Sequence, residues 1–304
     1  MTDVLVLGRT GQLSQCLQAS APVASAVEFV DRARVDIVES ASVARCLDSL
    51  APQVVINATA YTAVDKAERD EAAAFAVNGT GVAALARACA ARNIALIHVS
   101  TDFVFDGTKA TPWLPVDNTS PLGIYGASKL AGEMGMLATP GLRGSIVRTS
   151  WLYSEYGNNF VKTMLRLMSQ RDELGVVNDQ IGAPTDALGL AQVLWLLAAQ
   201  HLATKASASP LASEVPPDIY HWSDDGEISW YDFATEIQRQ ARPLGLLVND
   251  ATLRAIGTID YPTPARRPAY SVLNCALLMQ RLGKQQASWQ DNLRRVLGVL
   301  AAST

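Results

Sequence analysis

The chain has 304 residues, 49% of them hydrophobic, with 29 acidic against 25 basic side chains and a net charge of -4. That apolar content is ample for one large or two intimately packed domains, and without a basic run the chain lacks the footprint of a nucleic-acid or anionic-membrane partner. No uninterrupted apolar run reaches the roughly 18 residues of a bilayer span, and Met1-Thr2-Asp3 enters its first apolar run without a signal peptide's basic flank, so a soluble cytoplasmic protein is expected.

Cys16, Cys46, Cys89 and Cys275 stand singly among apolar neighbours, with neither disulfide-framework nor metal spacing, and read as reduced packing residues. His98, His201 and His221 have no second histidine at ligand spacing, so no metal site is expected.

Val4 to Leu7 reads as a short strand that ends at Gly8-Arg9-Thr10-Gly11-Gln12-Leu13-Ser14 and passes into a helical pattern through Leu17. Gly8 and Gly11 allow the tight turn and let backbone N–H groups approach a pyrophosphate at the positive end of the helix. Ser14 stands where such a fingerprint has its third glycine, and it is small enough for close packing of helix on strand. A second strand, 26–30, ends at Asp31, an acid placed to accept hydrogen bonds from an adenosine ribose. Arg9, Arg32 and Arg34 nearby would suit a 2′-phosphate, which favours NADPH with NADH as the alternative; the same arginines also read as ordinary solvated charge. Asp36 and Ile37 are placed to meet the adenine edge.

A helix over 40–50 leads to a strand over 54–57, then to Ala58-Thr59-Ala60-Tyr61-Thr62-Ala63-Val64-Asp65, whose small residues at a strand's carboxyl end leave room for a ligand. An alanine-rich helix over 71–92 precedes a strand over 94–99, at whose end Ser100-Thr101-Asp102 would point Thr101 into the same crevice. His98 lies one residue too deep and reads as a hydrogen-bonded core histidine.

After a loop over 103–122 comes Tyr125-Gly126-Ala127-Ser128-Lys129. If helical, four residues at about 1.5 Å rise place Lys129 one turn from Tyr125 on the same face. A neighbouring ammonium would then favour the phenolate and lower the phenol pKa from near 10. A strand over 145–147 runs into Arg148-Thr149-Ser150-Trp151.

Strand and helix alternate to this point, which predicts an α/β fold: a doubly wound parallel Rossmann sheet. The remainder predicts a smaller, mostly helical lobe. It has a helix over 159–170, a rigid loop over 178–185, helices over 187–201, 230–239 and 289–300, and a short strand over 219–222. The Ala, Ser and Pro stretch over 203–217 reads as a mobile surface loop. The expected division is a dinucleotide-binding domain over 1–150, rejoined by about 184–202 and 218–223, and a mainly substrate-binding lobe over 151–304.

With these segments in place, the sequence resembles the extended short-chain dehydrogenase/reductases, and within them the family of dTDP-4-dehydrorhamnose reductases. The resemblance rests on Gly8 to Leu13, Asn57 to Glu68 (NATAYTAVDKAE), Ser100 to Gly107 (STDFVFDG) and Tyr125 to Glu133 (YGASKLAGE). It continues in Arg148 to Tyr153 (RTSWLY), Gly157 to Leu165 (GNNFVKTML), Asn178 to Thr185 (NDQIGAPT) and Tyr261 to Pro268 (YPTPARRP). The segments follow the family's order from end to end; the first is generic to the superfamily and the last three are narrow. Ser14 and the insertion near residue 210 depart from the pattern without touching the chemistry.

The resemblance implies NADPH-dependent reduction of the C4 ketone of dTDP-4-dehydro-L-rhamnose to dTDP-L-rhamnose. It implies Tyr125 as proton donor, Thr101 as hydrogen-bond donor to the carbonyl oxygen, and Lys129 as the group that tunes Tyr125 and holds the nicotinamide ribose. Gly8 to Leu13, Asp31, Arg32, Asp36, Ile37 and Ala58 to Ala60 would hold the cofactor. Thr62, Val64, Thr101, Trp151, Asn158, Asn159, Gln180 and Arg266 would meet the dTDP-sugar. Trp151 reads equally as a core aromatic, and Arg266 and Arg267, between prolines, equally as structural pins. Some relatives are described as dimers bridged by metal through acids on the first helix; Gln12 to Gln18 contains none, so no metal is expected, and monomer and homodimer both stand. Two other readings compete: another nucleotide-sugar reductase or epimerase, and a non-catalytic NADP-binding module similar to the regulatory subunit of methionine adenosyltransferase.

Overall fold

A computed structural model describes residues 2–207, 216–249 and 251–303. Five strands, β1 (Val4–Leu7), β2 (Val27–Val30), β3 (Val54–Asn57), β4 (Ala95–Thr101) and β5 (Gly144–Thr149), alternate with helices and pair in parallel. β1, β3 and β5 are buried at every position, which explains the continuous apolar reading of β1 and of Val54 to Ile56 in β3: a parallel strand covered on both faces has no polar side to show. Asp218–His221 returns from the second half of the chain and pairs in parallel with β5, so the sheet order is Asp218–His221, β5, β4, β3, β1, β2.

Helices cover both faces. On one side α1 (Gln12–Ala19) and a helix over Ala187–Ser207 bury Leu13, Cys16 and Leu17 with Leu190, Leu194 and Leu197 against Val4, Val6 and Ile56. On the other, α2 (Ser40–Leu50) contributes Val43 and Leu47, which pack with Leu85 and Cys89 against the alternate positions Leu5, Leu7 and Val55. Because the connections leave β1 and β3 for opposite sides, a crevice opens above their carboxyl ends, as at the switch point of any doubly wound sheet.

The helix expected over 71–92 is interrupted. After a short α3 (Val64–Ala67), α4 (Glu71–Phe75) runs into a π-helical turn over Ala76–Gly81 and continues as α5 (Val82–Ala90). Asn78 explains the widened turn: its buried amide donates to the Tyr61 carbonyl and the Ser128 hydroxyl, at 3.0 Å each, and accepts from the Tyr61 N–H at 2.8 Å. Glu71–Ala90 has the length and mean hydropathy of a bilayer span, although Asn78 and Arg87 break its apolar run, and its Val82, Leu85, Ala86 and Cys89 belong to the core against the sheet.

The next helix, α6 (Ile124–Leu137), carries Tyr125 and Lys129, as its spacing predicts. Beyond β5 the lobe is more mixed than its helical patterns suggest. β6 (Leu152–Tyr153), α7 (Phe160–Gln170), β7 (Glu173–Val177), β8 (Ile181–Gly182) and β9 (Thr185–Asp186) follow, and then α8, the helix over Ala187–Ser207. β10 is the sheet strand at Asp218–His221, and β11 (Ile228–Ser229), α9 (Trp230–Ala241), β12 (Thr252–Ile256), α10 (Ala276–Leu282) and α11 (Trp289–Ala302) complete the chain. Three two-stranded sheets, β6 with β9, β7 with β12 and β8 with β11, tie the lobe together around Phe233, Ile237, Trp289 and Leu293. Of the stretch expected to be a mobile loop, 203–207 continues α8 and 208–215 lies outside the described residues.

Candidate active site

The crevice holds a cavity of about 600 Å³. Gly11 is the N-cap of α1 with no side chain satisfying the first turn, so the backbone N–H groups of that turn remain available to an anion. Gly8 has φ of +108°, and a Cβ there would stand 2.8 Å from the Ser14 hydroxyl, so Ser14 occupies room that glycine leaves at the start of the turn. Thr10 to Leu13 line the cavity, as do Ala58, Thr59 and Ala60 at the end of β3.

Thr101 ends β4 and Tyr125 stands in the first turn of α6; both face the cavity, as does Lys129. The Thr101 hydroxyl donates to Asp102 Oδ1 at 3.0 Å and accepts from the Phe103 N–H at 3.2 Å, which fixes its position. Phe103 packs edge-on against the Tyr125 ring, with centroids 5.6 Å apart, and restricts that ring in turn. Burial pushes the Tyr125 phenol up to about 12, against the Thr101 hydroxyl and reinforced by the Asp102 carboxylate. Burial likewise raises Asp102 to about 6, opposed by hydrogen bonds from Ser271 and Thr101.

This overturns the expected electrostatics of the Tyr125 and Lys129 pair. The Lys129 ammonium position is turned into the sheet, where Nζ lies 2.6 Å from the Val99 carbonyl and 3.2 Å from His98 Nε2, and no hydrogen bond to Tyr125 is formed among the described residues. Burial pulls Lys129 down to about 8, with Glu133 acting the other way. The helical spacing is right; what it cannot show is that a side chain only 2% exposed spends its charge on β4 rather than on its helical neighbour. Glu133, one turn further along α6, is itself held by Arg148 through hydrogen bonds of 2.7, 3.0 and 3.2 Å.

Thr62, Val64, Trp151 and Asn158 also line the cavity. Trp151 lines the cavity and also stacks on Trp230, with centroids 3.5 Å apart. Its φ of +45° is left-handed, a strained setting for a bulky residue. The Trp151 carbonyl accepts from the Thr185 N–H at 3.2 Å, and Gly182 leaves the room its indole fills.

Other nominated residues lie elsewhere. Asn159 is the N-cap of α7, accepting from the Lys162 N–H at 3.1 Å and donating to the Ser154 carbonyl at 2.7 Å. Ile37 is buried in the core beside α2. Arg9 is exposed, and its carbonyl accepts from Gln18. Asp31 Oδ1 accepts from the Arg34 N–H at 3.1 Å, Arg32 pairs with Asp36 at 3.0 Å, and Arg34 pairs with Glu28, so the arginines near the ribose position already carry partners. Gln180 donates to the Thr258 hydroxyl and lines a second cavity of about 440 Å³ with Tyr261, Thr263 and Arg267. Arg267 is a pin: it pairs with Asp65 at 2.9 Å and donates to the Ala265 carbonyl at 3.1 Å, whereas Arg266 is exposed.

Polar residues outside the expected site set also stand at or beside the cavity: Ser100, Asp102, Thr149 and Ser150 line it, and Asn57 and His98 lie just beneath, next to Thr59 and Lys129. Asn57 and His98 sit opposite each other on β3 and β4, and their signal in the sequence is a polar side chain inside an apolar strand run. Asp102 follows Thr101 directly, and Ser150 lines the cavity while donating to the Ala183 carbonyl at 2.7 Å.

A family model described as the RmlD substrate binding domain matches residues 1–301. The dTDP-4-dehydrorhamnose reductase of Aggregatibacter actinomycetemcomitans is 42% identical over 298 residues, 97% of this chain and 98% of that protein. The enzyme of the same name from Escherichia coli (strain K12) is 39% identical over 308 residues, 99% of both chains. Among solved structures, dTDP-4-dehydrorhamnose reductase from Bacillus anthracis str. Ames in complex with NADP superposes with a TM-score of 0.88 at 32% identity, covering 98% of this chain and 99% of that one. With a match along nearly all of its length and relatives of the same size, the chain belongs to the RmlD substrate binding domain family.

Proposed function

We propose that the chain is an NADPH-dependent reductase of the C4 ketone of dTDP-4-dehydro-L-rhamnose, giving dTDP-L-rhamnose in the last step of that sugar nucleotide's synthesis, with NADH as the alternative reductant. The observation that carries the reading is the meeting of Thr101, Tyr125 and Lys129 in one cavity with the open N-terminus of α1, in a chain 42% identical to a dTDP-4-dehydrorhamnose reductase. The residues present suit a dinucleotide: Gly11 to Leu13 offer backbone donors to a pyrophosphate, and Ala58 to Ala60 leave a small-residue wall beside it. Bound reduced nicotinamide supplies the hydride. The chain supplies the rest.

Reduction in this direction needs an acid, and Tyr125, whose phenol keeps its proton far above neutral pH, is that acid. Thr101 donates a hydrogen bond to the oxygen on which charge develops, with its position preset by Asp102 and Phe103. Lys129 lines the floor and meets the nicotinamide ribose. Thr62, Val64, Trp151 and Asn158 bound the sugar end, and the exposed Arg266 is the cation we assign to the nucleotide phosphates. Residues 1–150 with about 184–202 and 218–223 hold the dinucleotide, and 151–304 mainly the sugar nucleotide, in a cytoplasmic setting to which four free, buried cysteines are suited.

The test is NADPH oxidation followed with dTDP-4-dehydro-L-rhamnose and with other 4-keto sugar nucleotides. Tyr125→Phe is expected to lower kcat by at least about a hundredfold with cofactor affinity nearly unchanged; turnover within a few-fold of wild type would remove Tyr125 from the chemistry. NADPH binding without turnover of any 4-keto sugar would leave the non-catalytic module as the reading.

A further inference from the structure

We propose that Asp102 is a positioning residue that acts through Thr101: as a carboxylate it holds the hydroxyl proton that a ketone oxygen needs, and as a neutral acid it turns that proton toward the cavity. Both side chains are buried, and both line the cavity together with Tyr125.

A threonine hydroxyl has one proton to give and two lone pairs to offer. One lone pair is fixed by the backbone, because the Phe103 N–H can only donate, and it does so at 3.2 Å. The proton goes to Asp102 Oδ1 at 3.0 Å. A carboxylate only accepts, so turning this O–H to a ketone would strip a hydrogen bond from a buried anion whose other oxygen, Oδ2, already has no partner among the described residues. A protonated carboxyl has the opposite preference. Its O–H donates to the second lone pair of Thr101, and the Thr101 proton is then free to point into the cavity. Phe103 keeps its bond in both states, so the oxygen stays in place and only the direction of the proton changes.

The phenol stands within reach of both groups. The Thr101 hydroxyl and the Asp102 carboxylate act on Tyr125 in opposite senses, behind the larger effect of burial. With Asp102 neutral, Tyr125 and Thr101 can both donate to one oxygen, the arrangement that suits a carbonyl on which charge develops. The switch consumes nothing: Asp102 takes one proton from solvent, and neither the hydride nor the Tyr125 proton passes through it.

Burial brings this carboxyl into the range where it can switch, lifting it to about 6 against hydrogen bonds from Ser271, Thr101 and the backbone. The charges around it are committed elsewhere. On α6, Lys129 donates to the Val99 carbonyl, and Glu133 is held by Arg148 of β5. His98 of β4 is kept uncharged by burial and then by Lys129. Beyond β3, Asp65 pairs with Arg267 and Glu68 accepts from the Ile124 N–H, while in the loop after β4 Asp106 accepts from Thr108. Ser271, ahead of α10, and Ser150, after β5, bring hydroxyls and no charge.

The catalytic meaning rests on the reductase reading, so the test has one arm that needs neither cofactor nor substrate. Aspartate carboxyl ¹³C signals are followed against pH by nuclear magnetic resonance, with Asp102 assigned through its own backbone resonances. Expected in wild type is a midpoint near 6. Thr101→Val removes the O–H that favours the carboxylate, so the proton affinity of Asp102 should rise at least about threefold. A wild-type midpoint in the ordinary aspartate range near 4 overturns the proposal, as does one unmoved in a folded Thr101→Val. The second arm is the pH profile of kcat/KM with NADPH and dTDP-4-dehydro-L-rhamnose, which should fall about tenfold per pH unit above that midpoint. In Asp102→Asn, whose amide can donate to Thr101 at every pH, this limb should vanish whatever the absolute rate. A wild-type profile flat through that range, or a limb that persists in the variant, overturns the proposal. Absence of turnover with every 4-keto sugar nucleotide would count against the reductase reading instead, and the carboxyl titrations would then decide on Asp102 and Thr101.

Discussion

Thr101 shows what a single hydroxyl does when its surroundings are fixed. Its proton is directed to Asp102 and its lone pair to the Phe103 N–H, so a ketone oxygen must take the donor from a buried carboxyl close to its own pKa of about 6. Thr101→Val keeps the shape and removes the donor; it is expected to lower kcat/KM by about a hundredfold, the usual cost of losing one oxyanion donor, while Thr101→Ser restores most of it. Steady-state kinetics on both variants, with thermal melts to show an intact fold, check this. At this scale the sequence showed the participants better than their partners. Helical spacing put Tyr125 and Lys129 on one face, yet the depth of Lys129 and its turn toward His98 depend on a strand from 31 positions earlier in the chain. The same holds for Arg267, whose partner Asp65 is 202 residues away.

α6 is the element on which the site depends, because it carries both Tyr125 and Lys129 and is pressed closely onto its neighbours. A Cβ at Gly126 would stand 2.2 Å from the Phe103 carbonyl oxygen, one at Gly132 2.2 Å from the Asn78 carbonyl oxygen, and one at Gly135 2.5 Å from Ala83 Cβ. In an isolated helix Gly→Ala is favourable by about 1 kcal/mol. At Gly132 the obstacle is backbone, which cannot rotate away, so Gly132→Ala is expected to destabilise the protein and lift α6 off the π turn, with kcat falling alongside the melting temperature. Gly298, exposed in α11 with nothing within 4 Å of its Cβ position, is the matched control: Gly298→Ala should stabilise by about 1 kcal/mol and leave activity alone. Differential scanning calorimetry and kcat on the two variants separate contact from propensity. Elements with their own punctuation, such as α2 and β3, are legible to the residue in sequence. The π turn is not, since an alanine-rich window has the same apolar repeat whether or not one turn is widened, and β7 with β12 escaped because their pairing joins segments about eighty residues apart.

At the scale of the whole molecule, the sheet and the C-terminal lobe are joined by buried charge. Arg295 of α11 reaches Asp186 at the end of β9 at 2.8 Å and Glu155 at 3.4 Å, while Asp224, just after β10, accepts from the Asp186 N–H at 3.0 Å. Two carboxyls thus share one guanidinium with Asp224 beside them, and burial, with Asp186 adding to it, pushes Asp224 up to about 7, against hydrogen bonds from Asn292 and the Asp186 backbone. The sign of the consequence follows from linkage. A carboxyl whose folded pKa lies above its unfolded value binds its proton more tightly in the folded state, so its contribution is fully present below about pH 4 and is lost as pH rises through 7. At about 1.4 kcal/mol per unit, a rise from 3.8 to about 7 corresponds to about 4 kcal/mol at most. Wild type is therefore expected to lose stability between pH 4 and pH 8 through this group. Asp224→Asn keeps an acceptor for the Asp186 N–H and removes the charge, so it should flatten that slope and be more stable than wild type at pH 8 while matching it below about pH 4. Chemical denaturation of both proteins across that range reads the difference directly. Parallel slopes would mean that Asp224 ionises freely in the folded protein, and that the join between the layers is held by Arg295 with Asp186 and Glu155 alone.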